Sequence, residues 1–264
     1  MNVLVSINHG YLKHFKVMYR SLNASNPCKK RLFIMANDLT EQDQKEIIDE
    51  FSYSGEINFL PVSEDYFNGF PKVKRYPYTI YYRIIAPLLL PDDMDRILYL
   101  DSDLVVHNSL SDFYNVDFKG NAFYCCTQVR KFMQTFNRIR LGVNKNYVYM
   151  NTGVLLMNLN YLRKALDVEK IRKFVLKNKW KLTLFDQDVL TYFFGNKVLL
   201  APRAVYNLAD RHIRIENLKR KKGDKIDLEW VEKNNVIVHY LGRNKPWKDN
   251  YKGILKGFYK EYEN

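Results

Sequence analysis

The first hundred residues alternate between short apolar runs and stretches of helical spacing, and this alternation constrains the fold more than any other feature. Val3-Leu4-Val5-Ser6-Ile7 reads as a buried strand, broken by Asn8-His9-Gly10. Leu12, Phe15, Met18, Tyr19 and Leu22 then recur at helical spacing, and Pro27 closes that segment. Residues 31–36 form a second strand. Thr40 and Asp43 carry a capping-box pattern ahead of a helix whose Ile47, Ile48 and Phe51 face inward. A third strand at 57–62, a helix at 78–90 and a fourth strand at 96–100 follow. The last runs straight into Asp101-Ser102-Asp103. Such alternation predicts parallel pairing with helices on both faces of the sheet. Ligands of these sheets sit outside the carboxyl ends of the strands, which singles out residues 8–11 and 101–103.

The second half is less regular. Residues 122–127, 147–159, 198–201 and 236–241 read as strands, and 162–178 and 186–194 as helices. No Gly/Ser/Pro-rich linker and no internal repeat divides the 264 residues. The expectation is one α/β domain over 1–264 with a mixed sheet, 1–103 being the nucleotide-binding half and 104–264 completing the site. An apolar content of 47% with 27% charged residues excludes the disordered and collagen-like classes. No stretch reaches the roughly 18 apolar residues of a spanning helix. Met1 to Ile7 has neither the basic start nor the apolar length of a signal peptide.

Cys28, Cys125 and Cys126 make an odd count, and neighbours on a strand point to opposite faces, so 125 and 126 are not expected to bond. They read as free thiols of a reducing, cytoplasmic chain, packed as small hydrophobes. Lys and Arg number 42 against 29 Asp and Glu, a net charge of +13. The excess gathers in residues 161–181 and in Lys219-Arg220-Lys221-Lys222. Such charge suits nucleic acid, anionic lipid or a phosphorylated small molecule without choosing among them.

Chemistry concentrates in four places. Asp101 and Asp103 are framed by Ile97-Leu98-Tyr99-Leu100 and Leu104-Val105-Val106. Two carboxylates in such a frame are costly unless a divalent cation takes their oxygens, leaving positions for water and phosphate. His239 follows Val236-Ile237-Val238 and opens His239-Tyr240-Leu241-Gly242-Arg243-Asn244-Lys245-Pro246-Trp247. Its imidazole can be a ligand or a satisfied core histidine; Gly242 permits close approach and Lys245 offers a charge to phosphate. Asn151 and Gly153 interrupt an apolar strand. Asp186-Gln187-Asp188 opens a helix, where acidic residues also serve as caps.

In this order the four motifs resemble glycosyltransferase family 8, which includes bacterial lipopolysaccharide galactosyl- and glucosyltransferases and glycogenin. The likeness runs from Val3 to Trp247. It implies a GT-A fold, Rossmann-like with a mixed sheet flanked by helices, and a retaining, metal-dependent transfer of galactose or glucose from UDP-galactose or UDP-glucose. Asp101, Asp103 and His239 would bind Mn²⁺, with Mg²⁺ as a substitute. Ser6, Ile7, Asn8 and Tyr11 match the uridine loop, and Arg83 and Ser102 match donor contacts. Asn151, Asp186 and Gln187 match contacts to the donor sugar, Gln187 nearest the anomeric carbon, and Gly242 and Lys245 match diphosphate contacts. The family's nucleotide loop often reads Asp-Asp-Asn-Tyr, whereas here it is Asn8-His9-Gly10-Tyr11. The implied acceptor is a saccharide or glycolipid of lipopolysaccharide or another surface glycan. Membrane contact would be peripheral at most.

The residues' own chemistry agrees. A divalent ion between carboxylates and diphosphate neutralises the charge that develops on a UDP leaving group. Gln187 is a poor nucleophile, which favours front-face attack by the acceptor hydroxyl with the departing phosphate oxygen as base. Asp188 as a transient nucleophile is the alternative. Two other classes fit parts of the sequence: a metal-dependent nucleotidyltransferase or phosphohydrolase using Asp101 and Asp103, and a basic nucleic-acid-binding protein using charge and aromatics. No nucleic-acid motif is present, so nucleic acid is not an expected partner.

Overall fold

A computed structural model describes residues 1–71, 78–218 and 220–263. Lys219 of the second basic run lies outside the described residues, as does Asn264. The strands are β1 (Asn2–Ser6), β2 (Lys30–Met35), β3 (Gly55–Leu60), β4 (Arg96–Leu100), β5 (Leu104–Val106), β6 (Phe123–Cys125), β7 (Val154–Asn158), β8 (Val198–Leu200) and β9 (Ile237–His239). Among the described residues, seven of them form a sheet in the order β3-β2-β1-β4-β7-β6-β8. The first four pair in parallel. β7 is antiparallel to β4 and β6, and β8 runs parallel to β6. The mixed sheet is the one the sequence led us to expect. β5 and β9 leave it and form a small antiparallel ribbon.

Strand periodicity builds two cores. Val3, Val5, Leu32, Ile34, Leu98 and Leu100 pack on one face with Phe15, Met18, Ile47 and Phe51. Their neighbours Leu4, Phe33, Ile97 and Tyr99 pack on the other with Tyr81, Ile85, Val189 and Leu190. Helices Leu12–Ser25 and Glu41–Phe51 therefore cover the first face, and Thr79–Leu89 and Phe185–Phe194 the second. Each fully buried large side chain contributes about 1.5–3 kcal/mol. The capping box forms: Thr40 Oγ1 accepts from Asp43 N and Asp43 accepts from Thr40 N.

Three expectations need correction. Residues 147–153 are not strand, although 154–158 are. Their N–H groups bond elsewhere: Val148 to the Gly195 carbonyl, Tyr149 to Gln134, Met150 to Thr191 and Asn151 to the Cys126 carbonyl. The helix expected over 162–178 is two, Leu159–Ala165 and Val168–Asn178, because Asp167 caps the second by accepting from Lys170 N. All three cysteines are free and Cys125 and Cys126 are buried, but Cys28 is exposed.

Candidate active site

Asp101-Ser102-Asp103 is the seam where the chain passes from the large sheet to the ribbon. Asp101 N donates to the Gly153 carbonyl at 2.8 Å, and Tyr240 N donates to the Asp103 carbonyl at 2.9 Å. Three motifs far apart in sequence are thus stitched together by backbone. Leu104 pairs with His239 in the ribbon, which sets the imidazole beside the carboxylates. His239 Nε2 lies 3.1 Å from Asp103 Oδ1 and 3.8 Å from Asp101 Oδ2. One ligand atom from each of these three residues lies within 4.8 Å of the other two.

The donor set fits a divalent cation. Two carboxylates and an imidazole suit Mn²⁺ and tolerate Mg²⁺ less well. His239 is 1% exposed, and its Nδ1 hydrogen-bonds Asn207 Oδ1 at 2.9 Å. Asn207 Nδ2 donates to Asn151 Oδ1, so the Asn207 oxygen faces the imidazole and Nδ1 is the protonated nitrogen. The lone pair on Nε2 is left aimed at the carboxylates, the arrangement a metal-ligating histidine uses. Gly153 makes the space: a Cβ there would meet Asp101 Oδ2 and His239 Cε1 at 2.4 Å.

Cations surround this centre. Lys245 Nζ donates to Asp103 Oδ2 and to the Tyr240 carbonyl. Burial works against the Asp103 carboxylate, yet the Lys245 ammonium beside it holds its pKa well below the ordinary aspartate range. Arg83 is 7% exposed and bridges Asp101 Oδ1 at 3.0 Å and Asp186 Oδ2 at 3.5 Å, while donating to the Thr152 carbonyl. Burial opposes its charge, but Asp101, with Tyr99 and Asp186, outweighs it and raises its pKa. Burial pushes the Asp186 carboxyl up from its usual value, with Arg83 and the Thr152 hydroxyl pulling the other way. Asn151, Thr152 and Gly153 therefore join Asp101, Asp186 and His239 in one place.

Gln187 is partly buried in the first turn of the helix Phe185–Phe194. Asp188 is in different surroundings. It is 0% exposed and accepts from Arg140 at 2.5 and 2.9 Å, from the Tyr149 hydroxyl at 2.7 Å and from Thr183 N at 2.6 Å. Burial opposes its charge, yet Arg140 and Tyr149 keep its pKa low. None of these partners belongs to the Asp101–Asp103–His239 cluster.

The segment after β1 frames another side. Ser6 Oγ is buried without a hydrogen-bond partner among the described residues. Ile7 N donates to the Met35 carbonyl. Asn8 Oδ1 caps a short 3₁₀ turn by accepting from Tyr11 N at 3.1 Å. Tyr11 is 39% exposed and packs edge-on to His14 and Trp247. His14 stacks on Trp247 at 3.5 Å, which ties this segment to the loop carrying Lys245. Gly242 in that loop has φ +83°, a conformation that favours glycine. Ser102 is 7% exposed between the two aspartates.

Sequence reasoning missed Asn207, Gln128 and Arg140. Asn207 is 0% exposed, accepts from Gln128 and orients His239. Its signal was available: a polar side chain in Val205-Tyr206-Asn207-Leu208-Ala209, the same apolar framing that marked Asp101.

The fold is the GT-A fold. The galactosyltransferase LgtC, solved with donor and acceptor sugar analogues, superposes with a TM-score of 0.83 at 23% identity, covering 100% of this chain and 95% of that one. The chain belongs to glycosyl transferase family 8, whose model matches residues 2–251, and is accordingly a glycosyltransferase. A putative glycosyltransferase of Haemophilus influenzae is 28% identical over 94% of this chain and 73% of its own length. A lipopolysaccharide 1,2-glucosyltransferase of Escherichia coli is 26% identical over the same shares.

Proposed function

We propose that this chain moves a hexose, galactose or glucose, from a UDP-sugar to a saccharide or glycolipid acceptor, with retention, in lipopolysaccharide or other surface-glycan synthesis. The observation that carries the reading is the meeting of Asp101, Asp103 and His239 beside Lys245, Arg83 and Asp186 at the end of β4. Residues 1–103 serve as the nucleotide-binding half of a single unit, 1–264. We propose a cytoplasmic enzyme that meets the inner face of the membrane only peripherally; among the described residues no helix is long and apolar enough to cross one.

Asp101, Asp103 and His239 would hold Mn²⁺, or Mg²⁺ in its place, which when bound supplies Lewis-acid neutralisation of the diphosphate leaving group. Lys245 exchanges its partner, Asp103, for a phosphate oxygen of the donor, and Gly242 lets the backbone approach it. Arg83 fixes Asp101 and Asp186 relative to one another and donates no proton, because its pKa is raised. Ser6, Ile7, Asn8 and Tyr11 hold the uridine, Tyr11 offering a ring face beside Trp247, and Ser102 contacts the donor between the two aspartates. Asn151, Asp186 and Gln187 orient the sugar. The Gln187 amide lies alongside an anomeric carbon of oxocarbenium character without bonding to it. The acceptor hydroxyl attacks from the leaving-group side and its proton passes to the departing phosphate oxygen. Four donor groups hold Asp188, which favours a positioning role over that of a nucleophile.

The test is a screen of UDP-sugars with Mn²⁺, following UDP released by slow donor hydrolysis. UDP release from one hexose donor supports the reading; pyrophosphate release, or no release from any donor, overturns it.

A further inference from the structure

We propose that the helix Lys131–Leu141 and the segment 176–184 form one face that docks on an anionic lipid bilayer. The helix leaves Phe132, Phe136 and Ile139 exposed at 64%, 56% and 75%. These positions are three and four apart, so they make one apolar stripe of the kind a helix normally buries. In the second segment Leu176, Trp180 and Leu184 are exposed, Trp180 at 76%. Arg140 joins the two by donating to the Lys181 carbonyl at 2.6 Å.

Charge identifies the occupant. No Asp or Glu lies between Asp117 and Asp167, nor between Glu169 and Asp186. Arg130, Lys131, Lys177 and Lys179 are exposed around the stripe, and the Lys181 ammonium lies over the Trp180 ring at 4.9 Å. Interfaces between copies of a protein are depleted of lysine, whereas here lysines flank the exposed tryptophan on both sides. Aromatic side chains interleaved with lysine are what a bilayer interface with anionic headgroups selects.

The face adjoins the site. Gln134, on the same helix, donates to Thr127 and accepts from Tyr149 N, and Arg140 and Tyr149 hold Asp188, the neighbour of Gln187. A groove of about 870 Å³, bounded by Arg130, Lys131, Phe132, Arg203 and Leu218, opens beside the stripe. We place the glycan of a lipid-carried acceptor in this groove; this last step rests on the transferase reading above, whereas the docking does not.

The experiment is co-sedimentation of the full chain with vesicles of phosphatidylcholine alone or mixed with phosphatidylglycerol. Wild type should partition to the anionic vesicles and not to the neutral ones. Phe136→Ser combined with Trp180→Ser should weaken that partition roughly tenfold or more, with melting temperature and donor hydrolysis unchanged. Lys177→Gln with Lys179→Gln should weaken it in a salt-dependent way. Equal binding to both vesicles, no binding, or unaltered binding by the variants overturns the proposal. So does a wild-type dimer in sedimentation equilibrium that the serine pair dissolves. Vesicle binding without donor hydrolysis would sink the transferase reading and leave the docking standing.

Discussion

Asn207 Oδ1 accepts the Nδ1 proton of His239 at 2.9 Å, and both residues are buried. The asparagine fixes the tautomer of a ring whose other nitrogen faces two carboxylates. Asn207→Ala should raise the Mn²⁺ concentration needed for half-maximal UDP release by about 10–100-fold. Metal titrations of the two proteins check this; an unchanged requirement would detach Asn207 from the metal.

Asp103→Asn should remove turnover, by on the order of 10²-fold or more, without unfolding the chain. Its side chain meets Lys245 and His239 and little of the core. In the wild type, UDP with Mn²⁺ at about 100 times the dissociation constant should add roughly 2.7 kcal/mol of stability, and UDP alone far less. Thermal melts with each ligand separately and together, on both proteins, provide the check. Full turnover in excess chelator would exclude the metal.

Gly153→Ala tests the cavity instead of the ligands. The added Cβ would meet Asp101 Oδ2 and His239 Cε1 at 2.4 Å, so those side chains must move apart. The variant should melt close to wild type yet lose most of the Mn²⁺-dependent rise. A full rise would mean the ligand atoms tolerate displacement.

Gln187 and Asp188 are neighbours that should respond oppositely. Gln187→Ala should lower turnover with UDP affinity within a few-fold and stability unchanged. Asp188→Asn leaves the half-buried Arg140 guanidinium without its carboxylate, a loss of about 3 kcal/mol or more, or on the order of 5–10 °C. Calorimetry and donor-hydrolysis rates on both variants separate the roles; an Asp188→Asn protein of native stability and no activity would restore the nucleophile.

Acid should loosen the link between His14 and Trp247. Burial, with Lys13 adding, pushes the His14 pKa down from 6.5 to about 4. A base with a depressed folded pKa binds its proton more readily when unfolded. Its contribution is therefore complete above pH 6.5 and declines as pH falls toward 4. His14→Phe keeps a ring beside Trp247 and does not titrate, so its melting temperature should fall less between pH 7 and 4.5. His212, also lowered to about 4 chiefly by burial, contributes in the same direction in both proteins. Parallel slopes would clear His14.

The first half was legible because each strand there is a continuous apolar run with a helix behind it, and all four observed strands lie within two residues of their expected bounds. Residues 147–153 share that composition, but their N–H groups bond to Gly195, Gln134, Thr191 and Cys126, partners no local pattern discloses. Asp101, Asp103 and His239 were legible as polar groups beside apolar runs, and Lys245 as a charge in the motif that His239 opens. Gln128 and Arg140 act through other side chains and carry no spacing signal, whereas Asn207 stands in an apolar frame that went unread. The helix Lys131–Leu141 was missed although Phe132, Phe136 and Ile139 carry helical spacing, and what that spacing could not disclose is that the stripe faces outward.

The seam at Asp101-Ser102-Asp103 governs how the chain can diverge. It spans two ladders with three residues, so one inserted residue would slip β5 against β9, turn Leu104, Val105 and Val106 to the opposite faces and take Leu104 off its pairing with His239. Descendants of this chain can change neither the seam's length nor its two carboxylates without losing the site. The helix Lys131–Leu141 belongs to neither ladder, and its outward residues can be replaced without moving Asp101, Asp103 or His239. Inheritance is rigid where the donor is handled and permissive on the face turned outward, so new acceptors can be explored while the transfer chemistry stays intact.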